Sequence, residues 1–324
     1  MEMADKEWVK PKVVCSKCIE FEHCRYDGQM ISSPFVRQLM PHVDFQTVCP
    51  EVEIGLGIPR KRIRIVSRED GDHLMQPETG RDFTSEMSDF AASFLDSISE
   101  VDGFILKGAS PSCGLKDVKI YPKIEKVAPI GKSSGFFARE VLKRFPGLAL
   151  EDEGRLRNER IRDHYLTKLF TFARFRAASR EGKPRTLVDF HSSNKMLLLA
   201  YNQTEMRKMG RIVADAGNKG ATAFGEYLEH LKRAMSKGPR ARASINVMLH
   251  ALGHFKEELG HAEKKHLLDL LEEYRAGRIG ITAPIALLRS WGLRFEEGYV
   301  LDQSFFEPFP PSLMEAKEEK DYWT

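Results

Sequence analysis

Gly103-Phe-Ile-Leu-Lys-Gly-Ala-Ser-Pro-Ser-Cys113-Gly114 is a short apolar run that stops abruptly in a loop of small residues holding a cysteine. The pattern predicts a buried strand that delivers a thiol to an open edge. Lys12-Val-Val-Cys15-Ser-Lys-Cys18 and Val43-Asp-Phe-Gln-Thr-Val48-Cys49-Pro50-Glu51 repeat the arrangement, each running β-prone residues straight into cysteine. In an open parallel sheet, ligands gather beyond the carboxyl ends of the strands, so three such strands would bring Cys18, Cys49 and Cys113 together.

From Lys12 to about Arg144, apolar runs alternate with polar, glycine-containing loops. Strands are predicted at 11–16, 43–48, 62–66 and 103–107, and helices at 34–40, 83–99 and 135–144. In the second helix Phe90, Phe94, Leu95 and Ile98 recur at helical spacing. Strands alternating with helices predict an α/β, parallel-sheet, three-layer domain. The segment 144–154 combines a Pro-Gly turn signal with an acidic cluster, which sets the expected boundary between a domain 1–153 and a domain 154–324. The second domain reads as mainly α-helical, with helices at 160–180, 186–201, 204–216, 223–236, 243–259 and 263–276 broken by glycines. The charged tail 314–324 is expected to fray.

The chain has 324 residues, 42% hydrophobic and 30% charged, enough for two domains with a core each. Its first residues lack the pattern of a signal peptide and no stretch is long enough to span a bilayer, so a cytoplasmic address is expected, with no membrane partner. Net charge is +3, but residues 157–242 hold 19 Lys and Arg against 8 Asp and Glu, a local +11. A basic middle in a nearly neutral chain is either a polyanion-binding face or a helical domain with ordinary solvated lysines and arginines.

All five cysteines, Cys15, Cys18, Cys24, Cys49 and Cys113, fall in the first 113 residues. An odd, clustered set in a reducing compartment argues against disulfides. It points to a soft metal, zinc or an iron-sulfur cluster, or to small buried hydrophobes. The CxxC pair of Cys15 and Cys18 has no second pair to complete a closed zinc site. A four-iron four-sulfur cluster takes four thiolates; held by Cys18, Cys49 and Cys113 alone it would keep one iron open as a Lewis acid. His250, His254 and His261 share a predicted helical face, without the carboxylate of a zinc-protease motif.

Ser16-Lys-Cys18, Cys24-Arg-Tyr-Asp-Gly28, Cys49-Pro-Glu51 and Leu106-Lys107 through Ser110-Pro-Ser-Cys113-Gly114 together, in order and spacing, resemble the signature of the thiouracil desulfidase family. Leu187-Val-Asp-Phe-His191, Asn194-Lys195, 250–256 and 303–308 likewise resemble the helical domain fused to this desulfidase in longer proteins, the tRNA 4-thiouridine desulfidases. The resemblance implies a 4Fe-4S cluster with one open iron, held by Cys18, Cys49 and Cys113, with Glu51 and a serine of the loop, Ser110 ahead of Ser112, serving catalysis. The family's first motif usually continues Cys-Leu-Leu-Gly, whereas this chain has Cys18-Ile-Glu-Phe21, which leaves the first ligand open among Cys15, Cys18 and Cys24.

The implied reaction turns 4-thiouridine in tRNA into uridine and sulfide, with no net electron transfer and with Glu51 as general base. Two other readings stand beside it: the same chemistry on free thiouracil or thiouridine monophosphate, and a non-catalytic, metal-stabilised RNA-binding protein. Arg25, Asp27 and Lys107 are candidate substrate contacts, although either cation has the alternative of pairing with an acid. On the basic domain the candidate RNA contacts are Arg174, Arg176, Arg180, Lys183, Arg185, Lys237, Arg240 and Arg242. Phe170, Phe172 and Phe175 among them read as core more readily than as base-stacking platforms.

Overall fold

The computed structural model describes residues 7–314; nearly all of the charged tail lies outside them. The described residues form two compact units, one of 7–173 together with 312–314, the other Arg174–Pro311.

The first unit is built on the sheet that the cysteine-terminated runs predict. Strands β1 (Lys12–Ser16), β2 (Asp44–Val48), β5 (Gly103–Leu106) and β8 (Ala149–Asp152) pair in the order β2-β1-β5-β8, every pair parallel. From β1 the chain goes first to β2 on one side and later to β5 on the other, which opens a crevice at the carboxyl ends of those strands. Val14, Phe104 and Leu106 pack on α3 (Thr84–Asp96) and α4 (Phe136–Arg144), through Met87, Ala91, Leu95, Phe137 and Val141. The opposite face carries Gly103, where a Cβ would stand 2.9 Å from Leu169 of α5 (Glu159–Glu181) and 2.6 Å from the Ala149 carbonyl oxygen, so only glycine fits that crossing. Helix α1 (Pro34–Leu39) joins β1 to β2, and Arg162 of α5 lies over Phe35. A sheet between two helical layers is the three-layer α/β arrangement expected.

Two features depart from the sequence reading. The strand expected at 62–66 is β3 (Arg64–Arg68), and it belongs to a second sheet with β4 (Gly71–Met75), β6 (Val118–Tyr121) and β7 (Gly131–Ser133), in the order β4-β3-β6-β7. Only its β3/β6 pair is parallel. The segment read as a boundary contains β8, and the compact units divide farther on, within α5. Ala149 is buried and pairs with Gly103, so its apolar start belongs to the sheet in spite of the acidic residues that follow.

The second unit is helical throughout: the end of α5, then α6 (Pro184–Tyr201), α7 (Gln203–Ala214), α8 (Ala216–Lys219), α9 (Thr222–Ala234), α10 (Ala241–Leu252), α11 (His261–Arg275), α12 (Thr282–Arg294) and α13 (Gly298–Leu301). Its core includes Phe175, Phe190, Phe224 and Tyr227, with Phe175 stacked on Tyr227 at 5.5 Å. Phe170, Phe172 and Phe175 are all buried, as core residues. Asn194, fully buried on α6, donates to the Phe190 carbonyl at 2.7 Å and accepts from the Ser304 hydroxyl at 2.7 Å. The Gln303 side chain takes the Met196 N–H at 2.9 Å and donates to the Ser192 carbonyl at 2.9 Å, so it enters the backbone ladder of α6. These bonds fasten the segment after α13 to the helix.

Candidate functional site

A cavity of about 350 Å³ opens at the carboxyl edge of β1, β2 and β5. Strand alternation decides which end residues reach it. Ser16 lines the cavity, whereas Cys15 is fully buried on the other sheet face, beside Tyr165 of α5, and burial pushes its thiol far up. The cavity is lined by four thiols, Cys18, Cys24, Cys49 and Cys113. Cys15 therefore drops out of the three alternatives for a first ligand, while Cys18 and Cys24 both remain at the pocket.

Each thiol is held by its own local device. Cys18 follows β1 by two residues, and its carbonyl accepts the Ile31 N–H at 2.7 Å. Cys24 opens a turn closed by the Gly28 N–H donating to the Arg25 carbonyl at 2.9 Å, with Gly28 at φ 73°. Cys49 caps the short helix α2 (Pro50–Glu53), whose first residue is proline, and so the turn carries Glu51 to the cavity wall. Cys113 sits in a loop whose carbonyls are gripped by the start of α4: Gly135, Phe136 and Ala138 donate to Gly114, Pro111 and Ser112 at 2.7, 3.0 and 3.1 Å. A Cβ on Gly135 would stand 2.5 Å from the Ser112 backbone, so glycine permits the loop to dock.

Neighbouring thiols and burial set the acidities. Hydrogen bonding with Cys18 raises Cys24 to about 11, while bonding with Cys49 pulls the other way. Cys49 rises through its bond to Cys24 and through burial, opposed by the Val52 N–H and the Arg60 charge. Burial pushes Cys113 up to about 12 against hydrogen bonds from Ser16 and Ser112. Among the described residues no three Cys, His, Asp or Glu side chains close on a point as ligands of a single ion do. Four soft donors around one cavity fit a larger thiophilic group, whose cations would displace the thiol protons.

Glu51 is the acid of the wall. Its Oε1 accepts from Ser112 Oγ at 2.7 Å and from Ser110 Oγ at 3.3 Å, and its Oε2 accepts from Arg60 Nε at 2.8 Å. The two serine hydroxyls are 2.9 Å apart. Ser112 is buried and the closer to Glu51; Ser110 Oγ also accepts the backbone N–H groups of Ser112 and Cys113 at 3.3 and 3.2 Å. Ser16, Tyr26, Arg60 and Arg62 also line the wall, and sequence reasoning gave none of them a role. Ser16 was readable from strand alternation, but Arg60, inside the basic run Pro59-Arg60-Lys61-Arg62, carried no signal of its own.

The remaining candidates divide. Arg25 lines the cavity and pairs with Asp27 at 3.5 Å, while Asp27 Oδ1 accepts the Gln29 N–H and so shapes the turn. Lys107 Nζ bonds Glu153 at 2.6 Å, and its backbone N–H reaches Ser16 Oγ at 2.9 Å. In the helical unit Lys237, Arg240 and Arg242 are exposed around the start of α10, Lys183 and Arg180 are exposed near the end of α5, and Arg176 is half-buried. Arg185 is exposed and pairs with Asp189 at 3.0 Å. Arg174 is a correction to the sequence reading: its guanidinium donates to the Pro308 carbonyl at 2.9 Å and to Asn194 at 3.3 Å, and burial lowers it to about 10, so it serves the fold. The three histidines are a second correction. Helix α10 ends at Leu252, which puts His254 in the following turn, stacked on Tyr299 at 4.9 Å, and His261 at the start of α11.

A parallel α/β unit with soft donors and one bridged carboxylate at its switch-point crevice has the make-up of a ligand site that suits a thiophilic group. Residues 13–153 match the family model described as 2-thiouracil desulfurase, and the chain belongs to that family. Residues 195–310 match a second family, described as a protein of unknown function, DUF1722. The chain is 26% identical over 155 residues to the uncharacterized protein YbgA of Escherichia coli (strain K12), a match covering 47% of this chain and 92% of that protein. It is 30% identical over 109 residues to the uncharacterized protein YbbK of Bacillus subtilis (strain 168), covering 32% of this chain and 72% of YbbK. A solved structure, the 4Fe-4S-dependent thiouracil desulfidase TudS, is 30% identical with a TM-score of 0.37, covering 46% of this chain and 94% of its own.

Proposed function

We propose that the chain is an iron-sulfur-dependent desulfidase that removes sulfur from 4-thiouridine in tRNA, giving uridine and sulfide. The observation that carries the reading is the shared cavity of Cys18, Cys49 and Cys113, each following a different one of three adjacent parallel strands, with the Glu51 carboxylate beside them. Those three thiolates would hold a 4Fe-4S cluster, with Cys24 left as a neighbour. When bound, the cluster supplies an open soft Lewis-acid position suited to the sulfur of a thiocarbonyl.

The chain's own residues supply the proton work. Glu51 Oε1 takes a proton from the water that attacks C4, and the Ser110 and Ser112 hydroxyls, both within hydrogen-bond reach of that oxygen, hold the carboxylate and pass the proton on. Water adds to C4, the carbon-sulfur bond breaks as hydrosulfide leaves with that proton, and the proton remaining on the C4 oxygen is released to solvent as the carbonyl forms, so no electrons are gained or lost. Lys107, tied to Glu153, stiffens the loop between β5 and Ser110, while Arg25 at the cavity wall can meet substrate phosphate.

The tRNA part of the reading is supported by the +11 stretch 157–242 and by the exposed trio Lys237, Arg240 and Arg242. Cations at the start of α10 oppose its helix dipole, a cost that a bound phosphate would offset. The family's description favours a second reading, free thiouracil or its nucleotide as substrate. Anaerobically reconstituted protein, offered thiolated tRNA and, in parallel, free 2- and 4-thiouracil and thiouridine monophosphate at rising salt, separates the two. We expect sulfide release from tRNA with a kcat/KM that falls steeply with salt; turnover of the free compounds alone supports the second reading, and turnover of neither contradicts both.

A further inference from the structure

The geometry points to Arg60 as a positioning residue that orients the Glu51 carboxylate. The inference rests on the desulfidase reading and names a residue to which that reading gives no task. The Arg60 side chain is 4% exposed. Nε meets Glu51 Oε2 at 2.8 Å, Nη1 meets the carbonyls of Cys24 and Gly57 at 2.9 and 3.1 Å, and Nη2 lies 3.9 Å from Cys49 Sγ. Its backbone N–H also donates to the Tyr26 carbonyl at 2.9 Å.

One planar guanidinium thus ties together the turn of Cys24, the thiol of Cys49 and the carboxylate between them. A carboxyl group turns freely about its last bond unless both oxygens are engaged. Here the serines hold Oε1 and Arg60 holds Oε2, so both oxygens are engaged and the plane of the carboxylate is fixed. Lysine could not replace this fork, because one ammonium cannot reach a carboxylate and two carbonyls in fixed directions. Arg60 lines the cavity with its Nε turned to Glu51 Oε2, so its part in the reaction runs through that carboxylate.

A double-mutant cycle tests it, with Arg60→Ala and Glu51→Gln made singly and together in the full chain. Iron and acid-labile sulfide content, the visible absorbance of the cluster and the thermal midpoint of the metal-free protein are read beside kinetics. We expect Arg60→Ala to keep its cluster and its KM within about threefold and to lose about 30- to 100-fold in kcat. In the Glu51→Gln background the same change should cost less than about twofold. Added methylguanidinium should restore part of the Arg60→Ala activity and none in the double variant. Should Arg60→Ala fail to take up iron, Arg60→Lys decides by the same cycle.

Unchanged kcat, or losses that multiply in the double variant, overturns the inference while leaving the desulfidase reading intact. Full activity of Glu51→Gln alone would contradict the role of the carboxylate, and the inference with it.

Discussion

The two units use their most recognisable residues in opposite ways. In the α/β unit the motifs around Cys18, Cys24, Cys49 and Ser110–Cys113 all end at one cavity. In the helical unit the motif residues Asn194, Gln303 and Ser304 turn inward and fasten the segment after α13 to α6. The contrast has a physical origin. Small polar residues at strand ends sit where the backbone leaves the sheet and a crevice begins, whereas a polar residue inside a helical bundle must be paired or pay the full cost of burial.

The largest effect should come from setting one thiol against another. Cys49→Ala should abolish cluster incorporation, measured as bound iron after reconstitution, while Cys15→Ala should load as the parent does, because Cys15 faces α5. Equal iron loss in both would erase the distinction between cavity and core.

Next in size, Asn194→Ala removes the buried acceptor shared by the Ser304 hydroxyl and the Arg174 guanidinium. It should destabilise the helical unit by about 1–3 kcal/mol in denaturant unfolding, with cluster content unchanged. Loss of the cluster on this change would show that the units do not divide the labour as described.

A smaller effect is expected from Lys237→Ala, Arg240→Ala and Arg242→Ala combined. The salt slope of tRNA binding should fall by about two to three, with turnover of a free thiolated base unaltered. An unchanged slope would move RNA binding away from this loop.

The smallest concerns His73, which Asp82 and Asp70 bond at 2.6 and 3.0 Å and so raise above the usual histidine value. A raised folded value means that the stabilisation is complete below the unfolded pKa of about 6.5 and fades as pH climbs through the folded one. His73→Gln should therefore lower the thermal midpoint more at about pH 5.5 than at about pH 8.5. The opposite order would contradict the pairing.

The strands bearing the thiols were readable because each runs short and apolar into cysteine at a point where the chain must turn. The second sheet was largely hidden: Gly71-Asp-His-Leu-Met75 and Gly131-Lys-Ser133 are too polar to mark strands, and their pairing depends on partners distant in sequence. Strand β8 was obscured by the Pro-Gly turn before it and the acids after it. Arg60 stayed unread for a similar reason, since an arginine in a basic stretch declares itself only through what it meets, here Glu51 and the Cys24 carbonyl. The Glu51 and serine cluster was more accessible, because each member lies within three residues of a cavity cysteine.

The most direct test of the central claim is single-turnover sulfide release from 4-thiouridine-containing tRNA, followed with the near-ultraviolet absorbance of the thiolated base. Parent protein and Glu51→Gln are compared at equal cluster content. The account predicts that absorbance falls in step with sulfide in the parent and that the rate drops by about 10²- to 10⁴-fold in Glu51→Gln. A stable thiouridine signal with a fully loaded parent, or equal rates in the two proteins, would contradict it.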